Sequence, residues 1–263
     1  MTQNFVLGRI LEYLNMTNPD TVPYLVAKGI LTHLKEIPTI TIHELAEKSY
    51  VSSASIHRFV KKIGFKNYKE FKIACKNDID INVDYSAQVL KAQASDIKKI
   101  FEQYTIQASE NLQYNLSNLD YEQLIRVCDR IYNAEKVIYL GLEFAMILGQ
   151  HFQKKLAECN RFVQLPMTYE QQMKTCQELD QKSVVIIASL ELGFLYRNEE
   201  LLNILRENHV PIIVITMEKD SKLVRDFNEV LPCSQYNSET EGRIGLLHLL
   251  ELLIMMYYMN YKK

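Results

Sequence analysis

The stretch from Thr41 to Lys72 constrains this chain more than any other part of it: T-I-H-E-L-A-E-K-S-Y-V-S-S-A-S-I-H-R-F-V-K-K-I-G-F-K-N-Y-K-E-F-K. Thr41 followed three residues later by Glu44 predicts a capping box that opens one short helix. Leu45 and Ala46 then face inward, and Ala46 is small enough for two crossing helices to approach closely. Lys48-Ser49-Tyr50 predicts a tight turn, plugged from below by Val51. Ser52 is a good N-cap for a second helix running to about Ile63, and Gly64 supplies its stop. In that helix Ile56, Phe59, Val60 and Ile63 recur at i, i+3, i+4 and i+7, which makes one buried stripe. The opposite side is centred on Ala54, Arg58 and Lys61, with Ser55, His57 and Lys62 flanking it. Tyr50 stands at a turn position that often carries glycine because it needs φ > 0, so an aromatic there has a conformational cost.

The chemistry of the outward face is cationic. From His57 to Lys76 there are seven Lys/Arg and one acid, Glu70, with Tyr68 and Phe71 between the lysines. Two capped helices, a tight turn and a basic second helix predict a helix-turn-helix reader of double-stranded DNA. Arg58 can pair with a guanine edge and Ala54 can meet a thymine methyl. Arg58 and Lys61 are expected to carry base readout, with Ser55 and His57 beside them. Ser52 and Ser53, at a helix N-terminus, are expected to hold phosphates together with Lys62, Lys66 and Lys69. A merely solvated charged face would not require caps, turn, stripe and charge to agree. Single-stranded RNA readers display aromatic platforms on sheets, whereas these cations sit on helices.

Charge is distributed unevenly. Residues 1–77 carry eleven Lys/Arg against six Asp/Glu, a net of +5, and the remainder has a net of −7. That asymmetry predicts a nucleic-acid module joined to a different kind of domain. The five cysteines, Cys75, Cys128, Cys159, Cys176 and Cys233, form no C-x-x-C pair, which predicts reduced thiols, no metal site and a cytoplasmic setting. The N-terminus, M-T-Q-N-F-V-L-G-R-I, has no signal-peptide pattern. Ile244 to Met259 is strongly apolar but shorter than a span of about 20 residues and is interrupted by His248 and Glu251, so a core or dimer-interface helix is expected rather than a membrane segment.

Along the chain, residues 20–36 predict a helix capped by Asp20 and ended by Pro38. Residues 1–77 form the expected DNA-binding domain, residues 78–105 a linker or helical connection, and residues 106–263 a second domain. Short apolar runs then alternate with amphipathic ones. Strands are expected at Lys136–Leu140, Arg161–Leu165, Val184–Ala188, Pro211–Thr216 and Glu229–Leu231, with helices between them. This pattern predicts an all-α helix-turn-helix domain joined to a doubly wound, parallel α/β sheet.

Both halves, in this order, resemble the RpiR/MurR family of bacterial transcriptional regulators, which join an N-terminal helix-turn-helix to a C-terminal SIS (sugar isomerase) domain. The Thr41–Lys72 stretch carries the first half of the resemblance; A-E-K-V-I-Y-L-G, V-P-I-I-V-I-T and S-K-L-V-R-D-F-N-E-V-L carry the second. The resemblance implies a homodimer or homotetramer on a palindromic operator, responding to a phosphorylated sugar held at the carboxyl ends of the strands, and control of carbohydrate genes. It implies no catalytic residue, cofactor or metal.

Two loops normally hold that phosphate, one like G-x-G-x-S and one like S-x-S-G-x-T, through small residues, hydroxyls and backbone N–H groups. Here they read Gly141-Leu142-Glu143-Phe144-Ala145 and Ser189-Leu190-Glu191-Leu192-Gly193. Two carboxylates would repel a phosphate dianion, and the leucines and Phe144 would fill its cradle. A sugar phosphate is therefore disfavoured as effector, and Gly141, Glu143, Ser189, Glu191 and Thr216 are the candidate residues for any other. The alternatives are a site displaced by a residue or two, using Ser189, Thr216 or Ser221, or a sugar-phosphate isomerase. The latter needs a positioned general base. Glu143, Glu191, His151 and His248 are the candidates, and no motif joins them.

Overall fold

A computed structural model of the chain describes residues 6–81 and 85–262, without the side chains of 78–81. Residues 1–5, at the end read above for a leader, and residues 82–84, within the expected connection, lie outside them. The described residues divide into two compact units, one over 6–81 and the other over 85–262.

The first unit is helical: α1 (Val6–Met16), α2 (Val22–Thr32), α3 (Ile42–Lys48), α4 (Ser53–Lys62) and α5 (Tyr68–Ile81). Ile10, Ile30, Ile37, Leu45, Ile56, Phe59, Val60 and Phe71 are buried in its core. Gly29 of α2 lies against the α3–α4 turn so closely that a Cβ there would sit 2.2 Å from Ser49 Oγ, which fixes how near α2 approaches the turn. The expected helix over 20–36 is shorter than predicted and is capped by a different residue. Thr21 Oγ1 accepts from the Tyr24 N–H, while the Asp20 N–H donates to Asn18 Oδ1 in the preceding turn. The helix closes at His33, and residues 33–40 wind on as successive turns, because Glu36 and Thr39 bond back three residues.

The second unit is a three-layer α/β domain. It begins with α6 (Ala87–Leu90), α7 (Ile97–Ser117) and α8 (Tyr121–Asn133). Next come β1 (Val137–Gly141), α9 (Glu143–Ala157), α10 (Tyr169–Gln177), β2 (Val184–Ala188), α11 (Gly193–Arg197) and α12 (Glu199–Glu207). β3 (Ile212–Thr216), β4 (Glu229–Pro232) and α13 (Gly242–Tyr261) complete it. The sheet order is β1-β2-β3-β4, all parallel. β1, β2 and β3 are buried along their whole length and are continuous apolar runs up to Thr216, whereas β4 is buried only at alternate positions and carries Glu229, paired with Arg126 and Arg130. Tyr139, Ile186, Ile213 and Ile215 point into the layer of α8, α9 and α13. Ile138, Leu140, Val185, Ile187 and Val214 point into the layer of α10, α11 and α12.

The expected strand Arg161–Leu165 shrinks to a single parallel bridge, Gln164 to Ile138, on the free edge of β1. Phe162 is exposed, so one face of the segment gains nothing from burial. Pro166 follows without an N–H to extend the ladder. The bridge still sets the winding: the chain crosses to one side of β1 at Gln164 and then to the other at β2. That reversal makes the carboxyl ends of β1 and β2 the place where open α/β sheets of this kind take their ligands.

Among helices of the described residues, α13 alone is long and apolar enough to cross a membrane, with a mean hydropathy of 1.3 over its most apolar stretch. It is instead a core helix, packed on α7, α8 and α9 with Leu246, Leu249, Leu250, Leu253, Ile254 and Tyr257 buried.

Candidate functional site

The helix-turn-helix is built from caps inward. The Glu44 N–H donates to Thr41 Oγ1 at 3.2 Å, and the Thr41 N–H donates to Glu44 Oε2 at 2.6 Å. That backbone contact holds the Glu44 carboxyl below its ordinary range. α4 starts at Ser52, whose Oγ accepts from the Ser55 N–H at 3.1 Å. Ile56, Phe59, Val60 and Ile63 are all buried, and Phe59 meets the Tyr13 ring edge-on at 5.1 Å. Gly64, with φ +96°, stops the helix.

The expected contact residues separate into groups. Ala54, His57, Arg58 and Lys61 lie exposed on α4, and Ser53 is half-buried with its Oγ 3.1 Å from His43 Nδ1. Ser55, expected on the outward flank, is only 9% exposed. Its hydroxyl sits 2.9 Å from Ser52 Oγ and accepts from an Arg58 NH2 group at 3.2 Å. Ser55 therefore orients the cap and Arg58 rather than facing a groove. It falls there because the apolar stripe is wide and Ser55 precedes Ile56 on its border.

Lys62 differs from its neighbours. Its ammonium donates to the Tyr13 hydroxyl at 3.1 Å and lies 4.8 Å over that ring, and this bond lowers the pKa of Tyr13. Lys72 Nζ likewise donates to the Ile40 carbonyl at 2.8 Å. Lys66 and Lys69 are exposed at the start of α5. There Asn67 Oδ1 accepts from the Glu70 N–H, and Glu70 accepts from the Lys66 N–H.

In the second unit, Gly141 and Ala188 pair across β1 and β2, so the loops that carry Glu143 and Glu191 leave from adjacent strand ends. A Cβ at Gly141 would lie 2.7 Å from Ala145 Cβ and 3.1 Å from the Ala188 carbonyl, so glycine is needed here for close packing. Both hydroxyls meet the backbone, Thr216 as donor and acceptor and Ser189 as acceptor. Ser189 Oγ accepts from the Phe194 N–H at 3.1 Å. Thr216 Oγ1 donates to the Leu190 carbonyl at 2.8 Å and accepts from the Glu218 N–H at 3.1 Å. Glu143 and Leu192 adopt positive φ, 34° and 58°, a conformation that side chains disfavour. Leu192 is buried, and Phe144 lies 5.5 Å beneath the Arg243 guanidinium.

The candidate bases are not gathered at one point. Glu191 accepts from Asn237 Nδ2 at 2.8 Å, His151 pairs with Glu251 at 2.7 Å across α9 and α13, and His248 faces Asn115. The five cysteines are free thiols, and burial pushes those of Cys128, Cys176 and Cys233 up to about 12. Among the described residues no group of three or more His, Cys, Asp or Glu is placed to hold a metal ion.

Sequence reading missed Asn111 and Asn115, both buried on α7. Asn111 donates to the Tyr236 carbonyl and accepts from the N–H groups of Gln235 and Tyr236; Asn115 donates to the Gly245 carbonyl and accepts from the Ser234 N–H. Together they hold the 234–236 segment that follows β4. Two asparagines at i, i+4 on a buried helix face were the available signal.

Residues 12–81 match the helix-turn-helix domain of the rpiR family, and residues 130–259 match the SIS domain. The chain belongs to the RpiR family. Its membership makes it a DNA-binding regulator that carries a SIS domain. An HTH-type transcriptional regulator of Clostridium perfringens is 24% identical over 230 residues, spanning 85% of this chain and 82% of that one. Two solved structures share the fold. The NanR protein of Vibrio vulnificus, complexed with ManNAc-6P, is 18% identical with a TM-score of 0.54, covering 97% of this chain and 92% of that one. The sugar isomerase domain of an RpiR transcription factor from Sphaerobacter thermophilus is 19% identical with a TM-score of 0.55, covering 60% and 89%. In this RpiR-family chain Glu143 and Leu192, just past the ends of β1 and β2, both take the left-handed backbone that favours glycine.

Proposed function

We propose that this RpiR-family chain is a non-catalytic, cytoplasmic regulator of carbohydrate genes that reads a palindromic operator in double-stranded DNA as a homodimer or homotetramer. The observation that carries the DNA reading is the outward face of α4, where Arg58 and Lys61 stand exposed opposite the buried Ile56–Phe59–Val60 stripe. One helix-turn-helix grips a single half-site, so a second copy supplies the other. The exposed row Ile244, Leu247, Met255 and Met259 on α13, with Ile147 on α9, supports self-association through the SIS domain. Selection of duplexes from a random pool by the full chain tests this reading. A recovered inverted repeat supports it, and the absence of any enriched sequence overturns it.

The effector reading is that a sugar phosphate does not bind in the manner of a phosphate loop. NanR carries ManNAc-6P in its solved complex. Here Glu143 and Leu192 occupy positive-φ positions, the Thr216 hydroxyl is bonded to the backbone as both donor and acceptor, and Ser189 Oγ accepts from the Phe194 N–H. An uncharged sugar, or no small molecule at all, fits these strand ends better than a dianion. Calorimetry against hexose and amino-sugar phosphates is expected to show no binding, and micromolar affinity for any of them contradicts the reading.

A further inference from the structure

The helix-turn-helix contains the same helix stop twice. At the end of α4, the Gly64 N–H bonds to the Lys61 carbonyl and the Phe65 N–H to the Val60 carbonyl, with Gly64 at φ +96°. At the end of α3, the Tyr50 N–H bonds to the Glu47 carbonyl and the Val51 N–H to the Ala46 carbonyl, with Tyr50 at φ 53°. Both are Schellman stops, whose left-handed residue is ordinarily glycine. Tyrosine gains nothing from the backbone in that place, and it gains nothing from packing either: Tyr50 is 95% exposed. A large aromatic in a conformation that opposes its side chain, and in contact with almost nothing, points to a role outside the fold.

Its position suggests that role. Tyr50 lies three residues before the start of α4 and borders an open concavity with His43, Glu47, Ser52 and Ser53. In helix-turn-helix docking the first helix crosses the phosphate backbone while the N-terminal residues of the second reach base edges. The turn between them therefore lies over the lip of the major groove. We infer that Tyr50 is a DNA-contacting residue whose phenolic O–H donates to a phosphate oxygen at that lip, a contact tyrosine can make and glycine cannot. The inference rests on α4 being the helix that enters the groove.

The test uses the full chain and a duplex selected from a random pool by the parent. Tyr50→Gly is expected to raise the unfolding temperature, since glycine relieves the left-handed strain, and to weaken DNA binding about five- to tenfold. Tyr50→Phe keeps the ring and the fold and is expected to weaken binding about threefold. Neither change removes a charge, so the dependence of affinity on salt stays that of the parent. A more stable Tyr50→Gly variant that binds as tightly as the parent overturns the contact, and so does a parent-like Tyr50→Phe. If the parent enriches no duplex, the reading of α4 falls and this inference falls with it.

Discussion

Lys66 and Lys69 offer the sharpest quantitative test of the electrostatic half of DNA binding. Lys62, Lys66, Lys69 and Lys72, from the end of α4 into α5, look equivalent in sequence, but the fold divides them. The ammonium of Lys62 is bound to Tyr13 and that of Lys72 to the Ile40 carbonyl, whereas Lys66, just before α5, and Lys69, in its first turn, stand exposed. Each phosphate neutralised on duplex DNA contributes about 0.9 to the slope of log affinity against log salt. Replacing both Lys66 and Lys69 by alanine is thus expected to flatten the slope by about 1.8 per bound protomer. Between about 50 and about 200 mM salt, two such contacts amount to roughly a twelvefold change in affinity, so the deficit of the double variant shrinks by that factor as salt rises. Sequence preference should be untouched, because phosphate contacts carry no base information. Fluorescence anisotropy with a labelled operator duplex across a salt series measures both quantities. A Lys72→Ala control should move the slope less than either lysine alone. An unchanged slope in the Lys66/Lys69 variant would refute the assignment of these side chains to phosphates.

Other consequences follow from the caps and the buried amides. Ser52→Ala removes the N-cap of α4 and should cost about 1 kcal/mol of stability, read by urea unfolding, with weaker operator binding as the first turn frays. The Glu44 carboxyl is depressed by the Thr41 N–H, so its stabilisation is complete above the ordinary carboxylate range and is lost as pH falls through the lowered folded value. Glu44→Ala should therefore be less stable than the parent at neutral pH, and unfolding temperatures measured down to acidic pH should converge. Asn111→Ala strips the partners from the Tyr236 carbonyl and from the Gln235 and Tyr236 N–H groups. It should cost about 1–3 kcal/mol for each group left unsatisfied, again by urea unfolding.

Local signals made much of this molecule legible. The Thr41 capping box, the Ser52 cap, the Gly64 stop and the Ile56–Ile63 stripe are each set by residues within one or two helical turns, and each stands where the sequence places it. The strands Val184–Ala188 and Ile212–Thr216 were legible because burial on both faces leaves a continuous apolar run. What escaped depends on distant partners. The run Arg161–Leu165 has strand composition, but its exposed Phe162 and the following Pro166 leave only the Gln164 bridge. In sequence Lys62 reads as a phosphate contact and Lys72 as part of the same basic run; their bonds to Tyr13 of α1 and to the Ile40 carbonyl after α2 depend on distant partners. Ser55 illustrates the limit of angular arithmetic, since a border position turns inward when a cap and an arginine both bond to it.

The central claim is that the outer face of α4 reads bases. Duplex selection from one random pool, performed in parallel with the parent and with an Arg58→Ala, Lys61→Ala double variant, addresses it most directly. The variant should still bind DNA through its phosphate contacts but lose preference at the base pairs those side chains read, by about 1–3 kcal/mol at each. Recovery of the same operator by both proteins, at equal affinity, would contradict the account.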